Sequence, residues 1–138
     1  MKKIVIDTNV VVSATRSPNG TPAKIMGLVF AGEIDMYLSN GILEEYGATL
    51  AKKKLGISNR VRQEVIADLK EIGIQVNPKK SDIEIKDEDD RIFYDTAKAS
   101  GAILITGDKH LLEMKESFIK TPAEYINEYK QNMNAGCM

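Results

Sequence analysis

The most constraining feature of the sequence is a short apolar run that ends abruptly in polar residues. The run Ile4–Ile6 is β-branched throughout, and Asp7-Thr8-Asn9 follows it at once. A continuous apolar run of this kind indicates a strand buried on both faces, as in parallel sheets. Ligands of open α/β sheets bind beyond the carboxyl ends of the strands. Asp7 is therefore either a turn or cap residue or part of a functional site.

The rest of the chain alternates between helix and strand patterns. A loop is expected at 16–20, and apolar spacing with cap and stop residues predicts helices at about 21–31, 42–55, 58–72, 90–100 and 122–132. Apolar runs predict strands at 35–39, 74–76, 102–106 and 118–119. Because parallel strands need crossover connections, the pattern predicts one three-layer α/β/α domain with a parallel central sheet over residues 1–132. Residues 133–138 are expected to form a disordered tail.

The composition is that of an ordinary globular protein, with 43% apolar and 28% charged residues and a net charge of −1. No apolar run approaches the roughly 20 residues of a membrane span, and no signal peptide is evident. The single Cys137 and the single His110 exclude an internal disulfide and a structural zinc site. The sequence predicts a cytoplasmic location without membrane partners.

Acidic residues stand at positions that the predicted sheet brings to one edge. Asp7 and Asp108 each follow a buried strand. Glu44 and Glu45 lie early in the helix after the second strand, and the pair Asp89-Asp90 opens the helix before the fourth. Taken singly, the glutamates and the Asp89-Asp90 pair are better explained as residues that favour helix N-termini. Their convergence on one edge is what indicates a site.

Clustered carboxylates raise one another's pKa, so a fold keeps them together for a reason. The usual reason is a hard divalent cation such as Mg²⁺ or Mn²⁺, which prefers oxygen ligands. Such a cation can activate water and stabilise the leaving oxygen of a phosphodiester. His110 is expected to be structural or exposed rather than a ligand.

With these motifs the sequence resembles the PIN-domain ribonucleases, in particular the single-domain, VapC-like toxins of prokaryotic toxin–antitoxin pairs. Four segments carry the resemblance in order, namely Ile4–Ser13, Leu38–Glu45, Asp87–Asp90 with Ala97 seven residues on, and Ile105–Leu112. The resemblance implies a sheet in the order 3-2-1-4-5 and an acidic pocket that binds Mg²⁺ or Mn²⁺ and cleaves RNA.

The resemblance also implies roles for individual residues. By position the catalytic acids are Asp7, Glu45, Asp90 and Asp108, of which Asp7, Asp90 and Asp108 hold the metal. Supporting polar roles fall to Asn9 and Thr106. Glu45 matches the pattern better than Glu44, and Asp90 better than Asp89, by their spacing to Leu50 and Ala97. Many relatives carry a further acid at the position of His110, which weakens the case for a second metal.

Three functions compete. The preferred hypothesis is a metal-dependent endoribonuclease that cleaves single-stranded RNA and serves as a toxin held by an antitoxin, with a homodimer possible. Glu45 then orients or deprotonates the attacking water. A phosphotransfer domain using Asp7 is disfavoured, because such phosphatases usually carry an acid where this chain has Asn9. The non-enzymatic alternative is a degenerate module that only binds RNA or a protein.

A basic segment follows the helix that carries Glu45. No acid occurs from residue 46 to residue 63, whereas five cations do, namely Lys52, Lys53, Lys54, Arg60 and Arg62. An acidic pocket repels RNA, so nearby positive charge is needed to attract the phosphates. For a single lysine a solvated helix face is the better explanation, but the group is predicted to bind the RNA backbone.

Overall fold

A computed structural model describes residues 2–136. The strands are β1 Lys3–Ile6, β2 Asp35–Leu38, β3 Ile74–Gln75, β4 Ile103–Ile105 and β5 Ile119–Lys120. The helices are α1 Thr8–Arg16, α2 Thr21–Phe30, α3 Asn40–Leu50, α4 Asn59–Ile72, α5 Arg91–Ser100, α6 Lys109–Leu112 and α7 Pro122–Gly136. Short 3₁₀ turns occupy Lys53–Leu55 and Glu88–Asp90.

The five strands form one parallel sheet in the order β3-β2-β1-β4-β5, which confirms the predicted three-layer α/β/α fold. Ile4, Val5 and Ile6 of the central strand are fully buried, as expected for a strand covered on both faces. The chain adds β2 and β3 on one side of β1, then crosses to add β4 and β5 on the other. The carboxyl ends of β1 and β4 therefore flank the point at which the strand order reverses, where α/β sheets bind ligands.

Helix α1 was not predicted. The sequence pattern assigned no element to Val10, Val11 and Val12, because β-branched residues are poor helix formers. Their helix penalty is only a few tenths of a kcal/mol each, whereas burying a valine side chain contributes about 1.5 kcal/mol or more. All three are buried in α1, and Asp7 caps the helix. Burial and capping thus outweigh intrinsic propensity here.

Other boundaries also differ from the prediction. Helix α3 ends at Leu50 rather than near residue 55, and the basic residues that follow lie in a 3₁₀ turn. Helix α7 continues to Gly136 rather than ending near residue 132, and Cys137 lies outside the described residues. The apolar stripe predicted to pack inward from α4 is only partly covered, since Val61 and Ile72 remain exposed. No helix within residues 2–136 is long and apolar enough to cross a membrane.

Candidate active site

Asp7 is at once a helix cap and a buried acid of the sheet edge. Its Oδ1 accepts a hydrogen bond from the backbone N–H of Thr8 at 2.7 Å, and its Oδ2 accepts one from the Thr106 hydroxyl at 2.7 Å. Only 5% of the residue is exposed. Burial raises the pKa of Asp7, the two hydrogen bonds lower it, and the charges of Asp108 and Asp87 raise it further. The two explanations offered for Asp7 from sequence are therefore compatible.

Thr106 connects Asp7 to Asp108. The fully buried Thr106 donates its hydroxyl hydrogen to Asp7 and accepts a hydrogen bond from the backbone N–H of Asp108 at 2.9 Å. Asp108 in turn caps α6, since its Oδ1 accepts from the backbone N–H of His110 at 2.9 Å. The side chain of His110 is exposed. One hydroxyl thus fixes the ends of β1 and β4 relative to each other.

Asp90 completes a group of three acids. It is the last residue of the turn Glu88–Asp90, is 7% exposed, and its Oδ2 is buried without a hydrogen-bond partner among the described residues. The pKa of Asp90 is raised to about 8. Burial is the largest cause, and a side-chain hydrogen bond with Asp108 and the charges of Asp108, Asp7 and Asp87 add to it. The surroundings of Asp90 therefore favour its protonated form in the absence of a cation.

Glu45 lies close to these acids. The residue is partly buried, whereas its neighbour Glu44 is exposed. Burial raises the pKa of Glu45, with further increases from Asp89, Asp87 and Asp7 and a decrease from Lys52. Glu45 therefore lies in the electrostatic field of the other acids.

Tyr46 holds α3 beside Asp7 through a hydrogen bond to β1. The buried Tyr46 hydroxyl donates a hydrogen bond to the backbone carbonyl of Ile6, the last residue of β1. Burial, and then the charge of Asp7, raises the pKa of Tyr46 well above its ordinary value, so the hydroxyl remains a neutral donor. This contact ties the helix that carries Glu45 to the strand that ends at Asp7.

Two further acids lie near the site. From the sequence, Asp89 was placed second to Asp90, and Asp87 belonged to a matching segment without an assigned role. Asp87 influences the pKa of Asp7, Glu45 and Asp90, and Asp89 influences that of Glu45. Asp87 also caps the 3₁₀ turn, because its Oδ1 accepts from the backbone N–H of Asp89 at 3.0 Å. The density of acids from residue 82 to residue 95 was the available signal.

The predicted residue Asn9 lies on α1, and the predicted RNA-binding residues lie in or beside the 3₁₀ turn after α3 and on α4. Asn9 is exposed in the first turn of α1. Lys52 lies near enough to lower the pKa of Glu45, and Lys53 and Lys54 are exposed in the adjoining 3₁₀ turn. The two arginines of the segment have partners on their own helix: Arg60 pairs with Glu64 at 3.1 Å and Arg62 donates to Asn59 at 3.0 Å.

The carboxylate oxygens of the acid group are the ligand type that a hard divalent cation prefers, but they are not arranged as a metal site in this structure. Asp7, Asp90 and Asp108 offer oxygen ligands, and the buried Oδ2 of Asp90 has no other partner among residues 2–136. Within the same residues, no group of three His, Cys, Asp or Glu side chains is arranged to hold a metal ion.

Known proteins share this architecture. The sequence profile of the PIN domain matches residues 3–110. The uncharacterized protein MJ1680 of Methanocaldococcus jannaschii is 36% identical, over 94% of this chain and 92% of that protein. The crystal structure of PAE2754 from Pyrobaculum aerophilum superposes with a TM-score of 0.62 at 14% identity, covering 91% of this chain and 88% of that one, and it shows a shared fold. The chain therefore belongs to the PIN-domain family, whose members are usually nucleases.

Proposed function

We propose that the protein is a Mg²⁺- or Mn²⁺-dependent endoribonuclease that cleaves single-stranded RNA. The observation that supports this most is the group Asp7, Asp90 and Asp108 at the strand-order reversal. Asp7 and Asp90 are buried, Asp108 is partly buried, and Oδ2 of Asp90 has no hydrogen-bond partner among residues 2–136. None of the three acids has a lysine or arginine partner among the described salt bridges. Family membership indicates a nuclease-type function, and the acids supply oxygen ligands for its cation.

Three of the acids share one task in this proposal. Asp7, Asp90 and Asp108 would hold the cation through their carboxylate oxygens. When bound, the cation activates water and stabilises the charge on the leaving oxygen of the phosphodiester. Thr106 keeps Asp7 and Asp108 in register, because it is bonded to both.

Glu45 is the proposed general base. A carboxylate accepts a proton from water more readily when its pKa is raised towards the working pH. Burial and the surrounding acids shift the pKa of Glu45 in that direction. Glu45 also remains partly accessible, so water and a phosphodiester can reach it. Its task is to orient the attacking water and take its proton.

The substrate and the metal can be tested together with purified protein. We expect cleavage of single-stranded RNA with Mn²⁺ or Mg²⁺, none with a chelator, and much slower cleavage of double-stranded RNA and single-stranded DNA. Equal cleavage in the presence of the chelator would contradict the metal-dependent assignment. RNA binding without cleavage at millimolar Mn²⁺ would support a degenerate binding module instead.

The biological role we propose is that of a cytoplasmic toxin restrained by an antitoxin protein, and the active form can be a homodimer. This role is supported by the sequence resemblance to single-domain toxins. Expression in a bacterial host should arrest growth, and co-expression of a small protein encoded next to this gene should relieve the arrest. Continued growth with active enzyme present would argue for a housekeeping ribonuclease.

A further inference from the structure

The 3₁₀ turn Glu88–Asp90, which carries the acid Asp90, lies at the end of a long segment with little regular structure. Between β3 and α5 the chain forms only the 3₁₀ turn Glu88–Asp90. Asp87, Asp89 and Asp90 all lie at the end of this segment, and like charges placed this close together repel one another. A segment of this kind ordinarily belongs to the least stable part of a fold. A specific set of contacts is needed to keep the acids at the sheet edge.

Arg91 supplies most of these contacts. Its Nε donates to Oε2 of Glu88 at 2.7 Å, and its Nη2 donates to the backbone carbonyl of Ile83 at 2.9 Å. Nη1 donates to the carbonyl of Ser81 at 2.8 Å and to its hydroxyl at 3.2 Å. Only 12% of the Arg91 side chain is exposed. The guanidinium group thus joins the middle of the segment to the turn that precedes α5.

Asp95 adds a second attachment one helical turn later. It is 5% exposed, and its Oδ2 accepts a hydrogen bond from the backbone N–H of Ser81 at 3.0 Å. Ser81 is therefore held through its N–H by Asp95 and through its carbonyl by Arg91. Helix α5 itself is anchored independently, because it packs on β1, β2 and β4 with Phe93 and Ala97 buried.

We propose that Arg91 and Asp95, together called the α5 clamp, are positioning residues that hold the turn Asp87–Asp90 at the sheet edge before metal arrives. The inference rests on the proposed function in that it assigns the clamp to the metal site. The planar fork of arginine fits this task, since it can bind two carbonyls and a carboxylate at fixed angles. Lysine lacks that fork.

The test uses two pairs of variants and one control. Arg91→Leu removes every donor but keeps an apolar stem, and Arg91→Lys keeps only the charge. Asp95→Ala removes the acceptor, whereas Asp95→Asn keeps an oxygen that can accept from Ser81. The control Arg16→Leu removes a guanidinium from the exposed end of α1.

Two measurements separate positioning from general stability. In metal-free protein, hydrogen exchange should show that Arg91→Leu and Asp95→Ala lose protection at the amides of Ser81, Asp89 and Asp90. The amides of β1 and β4 should stay protected in the same variants. By calorimetry, both variants should bind Mn²⁺ about 10- to 100-fold more weakly, the usual effect of removing a residue that orients metal ligands.

The remaining variants sharpen the result. Asp95→Asn and Arg16→Leu should match the wild type in both measurements, and Arg91→Lys should resemble Arg91→Leu. Unchanged exchange at Asp89 and Asp90 in Arg91→Leu would overturn the clamp, and so would a simultaneous loss of protection in the strands. Failure of the wild type to bind Mn²⁺ would count against the proposed function, while exchange in the metal-free protein would still decide the clamp.

Discussion

The hydroxyl of Thr106 donates a 2.7 Å hydrogen bond to Oδ2 of Asp7, although the two residues are 99 positions apart in sequence. The bond joins the carboxyl end of the central strand, β1, to that of its neighbour β4. It also lowers the pKa of Asp7 against the increase caused by burial. A single buried hydroxyl therefore contributes to both the architecture and the charge state of the site.

Thr106→Val tests this relationship at nearly constant side-chain volume. The variant leaves a buried carboxylate oxygen without its donor, so the free energy of unfolding should fall by about 1–3 kcal/mol. The pKa of Asp7 should rise, and Mn²⁺ binding should require a higher pH. Thr106→Ser retains the hydroxyl and should stay close to the wild type in denaturant unfolding and metal titration. Equal behaviour of the two variants would show that the bond is unimportant.

Asp7→Asn and Asp7→Ala should separate the capping role of Asp7 from its charge. Asparagine caps helices about as well as aspartate and removes one negative charge, so Asp7→Asn should be as stable as the wild type or more stable. Alanine lacks a capping oxygen, so Asp7→Ala should lose about 1 kcal/mol from the capping bond to Thr8 alone. Urea unfolding of both variants in the absence of metal measures the difference. A markedly unstable Asp7→Asn would contradict the capping argument.

The raised pKa of Asp90 predicts how stability changes with pH in metal-free protein. Its pKa is about 8 in the folded state against an ordinary 3.8, so the folded protein retains a proton that the unfolded chain releases. The contribution of this proton to the free energy of unfolding is fully present below about pH 4 and is lost as pH rises through about 8. The slope approaches at most about 1.4 kcal/mol per pH unit for this proton.

Asp90→Asn provides the comparison for that prediction, because it removes the titrating group. The free energy of unfolding of the wild type, relative to that of Asp90→Asn, should decrease from pH 4 to pH 8. With saturating Mn²⁺ the decrease should shrink, since the cation replaces the proton. A difference that stays constant or grows with pH would mean that Asp90 is ionised in the folded protein.

Much of the fold followed from short patterns whose physical basis is local. The buried strand before Asp7 and the strand before Asp108 were predicted because continuous apolar runs have few other uses in a small domain. Helix α1 was missed because its valines favour strands intrinsically, and only their burial in the folded protein stabilises the helix. The extension of α7 to Gly136 likewise had no local signal in the sequence.

From the sequence, only those parts of the site could be predicted that follow from the meeting of strand ends at one edge of the sheet. Asp7, Asp90 and Asp108 were expected at one edge, and the structure brings them there, but their roles stay predictions. The bonds of Arg91 to Ser81 and Ile83 were not foreseeable, because they depend on the path of an irregular segment. The closeness of Asp87 to three other acids depends on the same path.

The basic segment after α3 is predicted to bind the RNA backbone. A variant in which glutamine replaces every cation of this segment except Lys52 should show a weaker salt dependence of RNA binding. The slope of the logarithm of the binding constant against the logarithm of the salt concentration should fall by about 0.7 for each phosphate that is no longer neutralised. The Michaelis constant should rise and the turnover number should change little, because these residues lie outside the acid group. The quadruple variant changes Lys53, Lys54, Arg60 and Arg62.

A charge-matched control decides whether that effect is local. Four exposed lysines elsewhere, replaced by glutamine, should leave the slope at its wild-type value; they are Lys24, Lys70, Lys79 and Lys130. Binding is measured from low to moderate salt with Ca²⁺ in place of Mn²⁺. The same slope change in both quadruple variants would point to net charge alone, and an unaltered slope in the first would place the RNA elsewhere.

Cleavage of single-stranded RNA by wild type, Asp7→Asn, Asp90→Asn and Glu44→Gln in parallel, with and without Mn²⁺, tests the central claim most directly. The wild type and Glu44→Gln, which alters an exposed acid on the helix of Glu45, should cleave only with Mn²⁺. Asp7→Asn and Asp90→Asn should lose at least about 100-fold in rate, the scale on which a group engaged in the reaction contributes. Near-wild-type, Mn²⁺-dependent cleavage by Asp7→Asn would contradict the account.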